Sequence, residues 1–243
     1  MTLMERRRAL IGAQGSGLQH GTWEDLFYHI DKGDYATEYA VGEILPLDLG
    51  TEGVVNAEIA AFDADTITDS TAKAPVTFVT QYLLNTKRRF NPQLSGTTVG
   101  TGDVGGWEKC ELRSVMNNTI LPKFPQEIRN RMLSVKKYTY GWNDSAVKTN
   151  NMQSDDVIWA PSTKECGWGG AETLGPTYTF FNSNAKRIKS KIGGSAMIWQ
   201  RRSSSTDMKS RDCVNTNGSS YGTSSTQAAQ GVLVGFCIGE VTT

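Results

Sequence analysis

The amino-acid sequence predicts an α+β fold, in which short helices and strands are mixed along one chain. The first observation is an apolar stripe at helical spacing, which predicts an amphipathic helix: Trp23, Leu26, Phe27 and Ile30. The second is a series of strand-like segments that begins at Val41 and is interrupted by turn residues. The third is that helices and strands do not alternate regularly as they do in a parallel α/β sheet, so α+β fits better than α/β.

The first helix has clear end signals. Thr22 is a good N-cap, and Asp25 stands where a capping box has its acceptor. Gly33 is expected to end the helix.

Three segments after this helix have the composition of strands: GEILPLDLG, VVNAEIAAFDAD and APVTFVTQYLL. In the second segment, four apolar residues alternate with more polar neighbours: Val55, Ala57, Ile59 and Ala61. Strict alternation is typical of a strand with one buried face, so the segment is predicted to be half-buried.

The middle of the chain predicts a loop, two helices and a strand. Residues 91–106 contain five glycines and indicate a loop. A helix over residues 107–118 is predicted from three apolar residues on one face, Leu112, Val115 and Met116. A second helix, over residues 125–135, is predicted to begin at a proline and to point two side chains inward: Pro125, Ile128 and Met132. The segment SDDVIWAPS (154–162) predicts a short buried strand.

The last third contains a polar stretch between two strand-like segments, SAMIWQ and GVLVGFCIG. Between residues 203 and 229, 16 of 27 residues are Ser, Thr, Asn or Gly. One interpretation is a flexible linker. We favour an ordered set of short strands and loops, because Cys213, Val214 and Tyr221 recur inside the stretch. In addition, VNTNGSSY is typical of a strand broken by an Asn-Gly turn.

Composition excludes several classes of protein. The formal net charge is zero at pH 7, which predicts no nucleic-acid partner. No stretch approaches the roughly 18 apolar residues that span a bilayer, so no membrane insertion is expected. The apolar run at residues 9–13 is too short for a secretory signal, which predicts a cytoplasmic site of synthesis. The cysteines are therefore expected to be buried thiols and not disulfides: Cys110, Cys166, Cys213 and Cys237.

No catalytic residue, cofactor or metal site is predicted. The only histidines, His20 and His29, lie near the N-terminus, where a catalytic triad would have to draw all its partners to one region. The segment DADTITD (63–69) begins like a calcium loop, but Thr68 and Ala74 stand where such a loop requires Gly and Glu. This segment instead predicts a strand end with solvated acids.

Several short motifs, in order, resemble a domain family of unknown function that is common in phages and gut bacteria. Its helix signature W-x-x-S-x-L-R-x-x-L-N is matched by Trp107, Leu112, Arg113, Met116 and Asn117. Its strand motif D-x-x-F/W-L-x-S is matched by Asp156, Val157, Ile158, Trp159, Ala160 and Ser162. Its R-I-K and W-W-L-R-S-P motifs correspond to residues 187–189 and 198–203. Its V-x-x-x-G turn and its final G-V-x-P-A-x-x-I strand correspond to Val214, Gly218, Gly231, Val232, Val234, Gly235 and Ile238.

The likeness covers residues 21–239, because the segment at 22–45 is similar to the opening helix and strand of the phage members. Gln200 and the pair Val234–Gly235 depart from the family pattern, which affects the geometry of the final strand pair. The resemblance implies a C-type-lectin-like α+β domain, with short helices around a small twisted antiparallel sheet. The predicted organisation is an N-terminal arm (1–20) with one or two helical turns at residues 4–11, a β-rich part (21–100) and a C-type-lectin-like part (101–243).

The resemblance also implies a function. It predicts a bacteriophage virion structural protein, a tail-tip, fibre or surface protein made in the bacterial host cytoplasm, which presents C-terminal loops to a host-surface glycan or protein. Ser, Asn, Thr, Tyr and Gly are favoured in adaptable binding surfaces. The predicted ligand-binding residues are Arg201, Arg202, Asp207, Lys209, Arg211, Asn215, Asn217 and Tyr221.

Several alternatives remain open at this point. Arg201 could instead pair with a carboxylate under the sheet, and Trp199 could belong to the core. The protein could be a capsid or tail decoration protein that binds only other virion subunits, and a homo-oligomer is expected in either case. An enzyme related to the formylglycine-generating proteins would need Cys213 and Cys237 close together as a reactive pair. A bacterial surface adhesin is disfavoured by the missing signal peptide.

Overall fold

The computed structural model describes residues 19–92, 99 and 101–240, and these residues form an α+β fold, as predicted. The α-helices are α1 (Trp23–Lys32), α2 (Tyr35–Glu38), α3 (Glu111–Val115), α4 (Gln126–Arg129) and α5 (Asn184–Arg187). The strands are β1 (Ile44–Leu45), β2 (Ala57–Phe62), β3 (Val76–Thr80), β4 (Met132–Leu133), β5 (Val135–Trp142), β6 (Lys148–Asp156), β7 (Ile158–Trp159), β8 (Trp199–Ser204), β9 (Ser210–Val214), β10 (Ser220–Ser225) and β11 (Gly235–Ile238). The predicted helical turns at residues 4–11 and the centre of the predicted glycine loop lie outside the described residues.

Helix α1 confirms the first sequence prediction. The Thr22 side chain accepts a hydrogen bond from the Asp25 backbone N–H at 3.2 Å, and Gly33 ends the helix with φ +83°. The buried face carries Leu26 and Ile30 into the core. None of the described helices is long and apolar enough to cross a membrane, and α1, the longest of them, has ten residues.

The main sheet is antiparallel and has the order β1-β2-β3-β11-β4, with β7 also paired to β11. The last strand of the chain, β11, therefore lies inside the sheet. It pairs with β3 along one edge and with β4 and β7 along the other. The sheet thus joins strands from both sides of residue 100 around one hydrophobic core.

The prediction of a half-buried strand over β2 is wrong. Five consecutive residues from Ala57 to Ala61 are buried, because the sheet is covered on both faces. Glu58 is among them, and its carboxylate is 2.9 Å from the Lys189 ammonium. The pairing of this charge explains why a polar residue stands at a buried position.

The helix predicted over residues 125–135 is also partly wrong. The Ile128 side chain points into the core, but the helix ends at Arg129. Met132 and Leu133 pair instead with Ile238 and Cys237 in the main sheet. Tertiary pairing has overridden a helical pattern, and the chain continues into a long hairpin of β5 and β6.

The two other predictions for the middle of the chain hold in part. The helix predicted over 107–118 is found as α3 followed by a wide helical turn at Met116–Ile120, with Leu112 and Met116 buried. The strand predicted over 154–162 is found as the end of β6 and as β7.

The polar stretch at residues 203–229 forms strands and turns, which confirms the preferred interpretation. Strands β8, β9 and β10 form a second sheet in the order β10-β9-β8, and the segment at Asn217–Gly218 turns between β9 and β10. Every residue of β8 is buried, and Trp199 is fully buried in the core. A register shift interrupts the β8–β9 pairing between Gln200 and Ser204, where two arginines point into the protein.

Candidate binding site

The predicted ligand-binding residues divide into a buried and an accessible set. Arg201, Arg202 and Arg211 are at most 1% exposed. The other five are partly or fully accessible on the loops around β9 and β10: Asp207, Lys209, Asn215, Asn217 and Tyr221.

Arg202 links several segments of the chain in the interior of the fold through its hydrogen bonds. Its guanidinium donates five hydrogen bonds, two of them to the buried Glu165 carboxylate at 2.5 and 2.8 Å. The others go to the Thr139 hydroxyl and to two backbone carbonyls. Burial alone would raise the pKa of Glu165, but Arg202 and Lys137 hold that pKa at about 2. Arg202 thus has no access to an external ligand.

Arg201 and Arg211 also serve the fold. Arg201 donates to the Cys213 carbonyl at 3.0 Å and lies 3.6 Å from the Asp212 carboxylate, which is the pairing that the alternative for Arg201 predicted. Arg211 pairs with the buried Asp103, and its guanidinium lies 3.5 Å from the centre of the Phe90 ring. Burial raises the pKa of Asp103 to about 6, although Arg211 opposes the shift.

Three of the accessible residues shape their own loops. Asp207 accepts a hydrogen bond from the Lys209 backbone N–H at 2.8 Å. Asn215 accepts one from the following backbone N–H, and Asn217 accepts one from Ser219. The side chains of Lys209 and Tyr221 are exposed, and Tyr221 has 37% of its surface accessible to solvent.

A cleft of about 410 Å³, lined mostly by residues with polar side chains, opens beside these loops. It lies where the β8–β9 end of the small sheet meets the β5–β6 hairpin and the segment at residues 163–172. Its lining consists of Tyr140, Lys148, Thr163, Gly169, Ala171, Glu172, Ser203, Ser204, Ser205, Thr206, Asp212 and Gly222. Thr206 belongs to the turn before β9, and Gly222 follows Tyr221 in β10, so the cleft and the exposed loops are continuous.

Hydrogen bonds fix the inner wall of the cleft. The Thr163 backbone N–H donates to the Ser203 hydroxyl at 2.8 Å, and that hydroxyl donates to Glu172 at 3.0 Å. The Lys164 backbone N–H donates to the same Glu172 oxygen at 2.9 Å. Asp212 accepts a hydrogen bond from the Thr163 hydroxyl at 3.1 Å. The wall is therefore preorganised before any ligand arrives.

Burial shifts the charged groups of the cleft toward their neutral forms. It raises the pKa of Glu172 and of Asp212, and it lowers the pKa of Lys148. The Lys148 ammonium also donates to the Ser205 carbonyl and lies 4.7 Å from the centre of the Tyr140 ring. The cleft therefore places hydroxyl groups, two acidic side chains and a lysine beside an aromatic ring, and these groups can hydrogen-bond a polar ligand.

Sequence reasoning did not find four residues of this cleft: Tyr140, Lys148, Glu172 and Asp212. They come from three separate segments that meet only in the folded chain. The serine run at 203–205 was the one local signal, since consecutive hydroxyls at the end of a strand are able to line a polar wall.

Two further predictions concern buried groups. All four cysteines are free and buried, which confirms the thiol prediction. The prediction that both acids at the start of the 63–69 segment are solvated is wrong for Asp65, which is fully buried. The Lys137 ammonium lies 2.5 Å from its carboxylate and compensates for the lost hydration.

A family model described as a domain of unknown function (DUF6273) matches residues 76–240. The match covers most of the chain and includes both the cleft and the small sheet, so the chain belongs to this family. Comparisons with curated proteins and with solved structures find no match.

Proposed function

We propose that this member of a family of unknown function is a bacteriophage virion structural protein that binds a host-surface glycan or protein through its C-terminal loops. A tail tip, a fibre or another part of the virion surface would place those loops against the host. The observation that carries the proposal is the continuity between the cleft and the exposed loops, through Thr206 and Gly222. Loops that are held by a rigid sheet are a common location for binding residues.

The cleft combines hydrogen-bonding groups with apolar surface, a combination that suits a glycan. Consecutive hydroxyls at Ser203–Ser205, a backbone-anchored Glu172 and Lys148 give donors and acceptors for sugar hydroxyls. The Tyr140 ring adds an apolar surface against which a sugar ring can pack. Lys209 and Tyr221 are exposed close in sequence to Thr206 and Gly222 of the cleft lining, and we propose that they extend the contact area.

The C-type-lectin-like fold is part of this proposal. A small antiparallel sheet, β8 to β10, supports the loops that end at the cleft, as the family resemblance implies. The pairing of β3 with β11 brings the two ends of the family-matched region together in the main sheet.

A non-enzymatic role is supported by the positions of the cysteines. Cys213 lies in β9 of the small sheet, and Cys237 lies in β11 of the main sheet. Burial raises the pKa of Cys237 well above that of an ordinary thiol, which disfavours a reactive thiolate. We expect Cys213→Ser and Cys237→Ser to leave ligand binding unchanged in folded protein, whereas a formylglycine-type enzyme would lose its activity.

A different surface supports the alternative virion role. In that role the chain is a decoration protein that binds only other virion subunits. Ile188 and Ile192 are 42% and 51% exposed on the segment between α5 and β8. Apolar side chains on a surface are suited to protein contacts, including those of a homo-oligomer.

The experiment is binding to a glycan array and to intact host cells. Wild type is compared with a loop variant, Lys209→Ala with Tyr221→Ala, and with a cleft variant, Asp212→Asn. Lys87→Ala removes an exposed lysine elsewhere and is the matched control. We expect wild type and control to bind, and the loop variant to lose at least about tenfold in affinity, equivalent to about 1.4 kcal/mol. Undiminished binding by both the loop and the cleft variants would refute the proposed surface.

A further inference from the structure

A lysine and two carboxylates that do not line the cleft meet in the interior. The Lys137 Nζ atom is 2.5 Å from Asp65 Oδ1 and 3.1 Å from Glu165 Oε1, and all three side chains are at most 1% exposed. The Trp159 ring centre lies 3.4 Å from the same nitrogen. The rings of Trp159 and Tyr178 and the surrounding core exclude water from the three charged groups. This exclusion strengthens the electrostatic interactions between them and protects a bond formed there from hydrolysis.

The second oxygen of Asp65 is held by two hydroxyl groups. Thr77 donates to Asp65 Oδ2 at 2.8 Å, and the Tyr178 hydroxyl donates to it at 3.0 Å. Such donors polarise the carboxyl group and stabilise negative charge that develops on its oxygen during attack at the carbon. Asp65 is thus placed as an electrophile and Lys137 as its nucleophile.

Glu165 has a cationic partner of its own in Arg202, besides Lys137. Its carboxylate receives two hydrogen bonds from Arg202 and one from the Ser162 backbone N–H. If Lys137 and Asp65 became neutral together, Glu165 and Arg202 would remain as a balanced pair. The burial of two charges, which is costly in a protein interior, would be relieved.

We propose that Lys137 and Asp65 condense into an intramolecular isopeptide bond, with Glu165 as the proton carrier. One proton of the Lys137 ammonium first passes to Asp65 Oδ1 across their hydrogen bond, which frees the lone pair of the nitrogen. The nitrogen then attacks the Asp65 side-chain carbon and forms an amide C–N bond, and the C–Oδ1 bond breaks. Glu165 accepts a proton from the nitrogen and returns it to the departing oxygen. The ammonium supplies two protons in total, so one ammonium and one carboxylate give one amide and one water, with no oxidant or other reactant.

Proximity accelerates this step. Two groups held in contact in one orientation react as if present at about 10⁵–10⁸ M. The bond would connect β5 to the segment after β2, across 72 positions in the sequence. It would tie the long hairpin covalently to the main sheet.

The test is the intact mass of the purified, folded chain measured after denaturation, followed by peptide mapping. We expect wild type to be lighter than its sequence by one water, and to give a branched peptide joining Lys137 and Asp65. Asp65→Asn is expected to give the same cross-linked product by releasing ammonia. Lys137→Arg keeps the positive charge but cannot form this amide, so it should have its full sequence mass. Glu165→Gln should leave most of the chain uncross-linked.

An internal control is available in the same molecule. Lys189 and Glu58 form another buried pair of a lysine and a carboxylate, at 2.9 Å. The two hydroxyl groups that polarise the carboxylate in the proposal, those of Thr77 and Tyr178, donate to Asp65. We expect Lys189 and Glu58 in separate peptides. A wild-type mass equal to the sequence, in protein shown by circular dichroism to be folded, would overturn the proposal. Loss of water that persists in Lys137→Arg would do so as well, since it would indicate dehydration elsewhere.

Discussion

Replacing Arg202 by methionine removes the positive charge that compensates a buried carboxylate. In the wild type, Glu165 receives two hydrogen bonds from Arg202, and both side chains are at most 1% exposed. Methionine has a similar length but no donor, so Arg202→Met leaves part of the Glu165 charge uncompensated. We therefore expect a large loss of stability and not a local loss of ligand binding.

The magnitude follows from the pKa of Glu165. Its pKa is lowered from 4.5 to about 2 by the surrounding cations, against the effect of burial. At about 1.4 kcal/mol per pKa unit, the shift corresponds to about 3 kcal/mol. That is the lower end of the ~3–5 kcal/mol lost when one partner of a buried pair is removed. Because the folded pKa is depressed, this contribution is present above pH 4.5 and is lost as the pH falls toward 2.

The assay is urea and thermal unfolding at pH 7, with Lys209→Met as a control on an exposed cation. For a domain of this size, a loss of about 3 kcal/mol lowers Tm by about 6–12 °C. The double variant Arg202→Met with Glu165→Met removes both charges and should recover at least about 1 kcal/mol of the loss. A loss below about 1 kcal/mol in Arg202→Met, or strict additivity in the double variant, would refute the reasoning.

Three other predictions concern the interior. Because burial raises the pKa of Asp103 from 3.8 to about 6, the contribution of Asp103 to the free energy of unfolding falls as the pH rises from 3.8 to 6. In urea unfolding, Asp103→Asn should reduce this fall by up to about 3 kcal/mol, and equal pH profiles for variant and wild type would contradict the prediction. Gly235→Ala should cost about 1–3 kcal/mol, because a Cβ atom there would lie 2.5 Å from Trp159 Nε1, whereas Gly169→Ala meets nothing within 4 Å and should be neutral. The four buried thiols should resist a thiol reagent in native protein and react fully in denaturant; rapid labelling of native protein would show that they are accessible.

The local signals in the sequence predicted those elements whose boundaries are set by neighbouring residues. The cap at Thr22, the stop at Gly33 and the Asn217–Gly218 turn each depend on the conformation of one or two residues, and all are present. The end of α4 could not be predicted in this way. Met132 has a helical pattern but joins a strand, because Ile238, which follows more than one hundred positions later, supplies its backbone partner.

The candidate site was predictable only in its outer part. The sequence directed attention to the loops at 203–229, and those loops do border the cleft. The sequence could not show that Arg202 is buried and Lys209 is exposed, because the burial of Arg202 depends on where β8 lies in the fold. Nor could it bring Glu172 and Lys148 to the same wall, since they come from distant segments.

The most direct test of the central claim, the proposed virion function, is electron cryomicroscopy of phage particles in a search for density of this chain. We predict density for the chain at a tail tip, fibre or outer surface, with the loops at residues 205–209 and 215–221 and the adjoining cleft directed away from the particle. Density in which these loops are buried against other virion subunits, or particles that lack the chain, would contradict the proposed receptor-binding function.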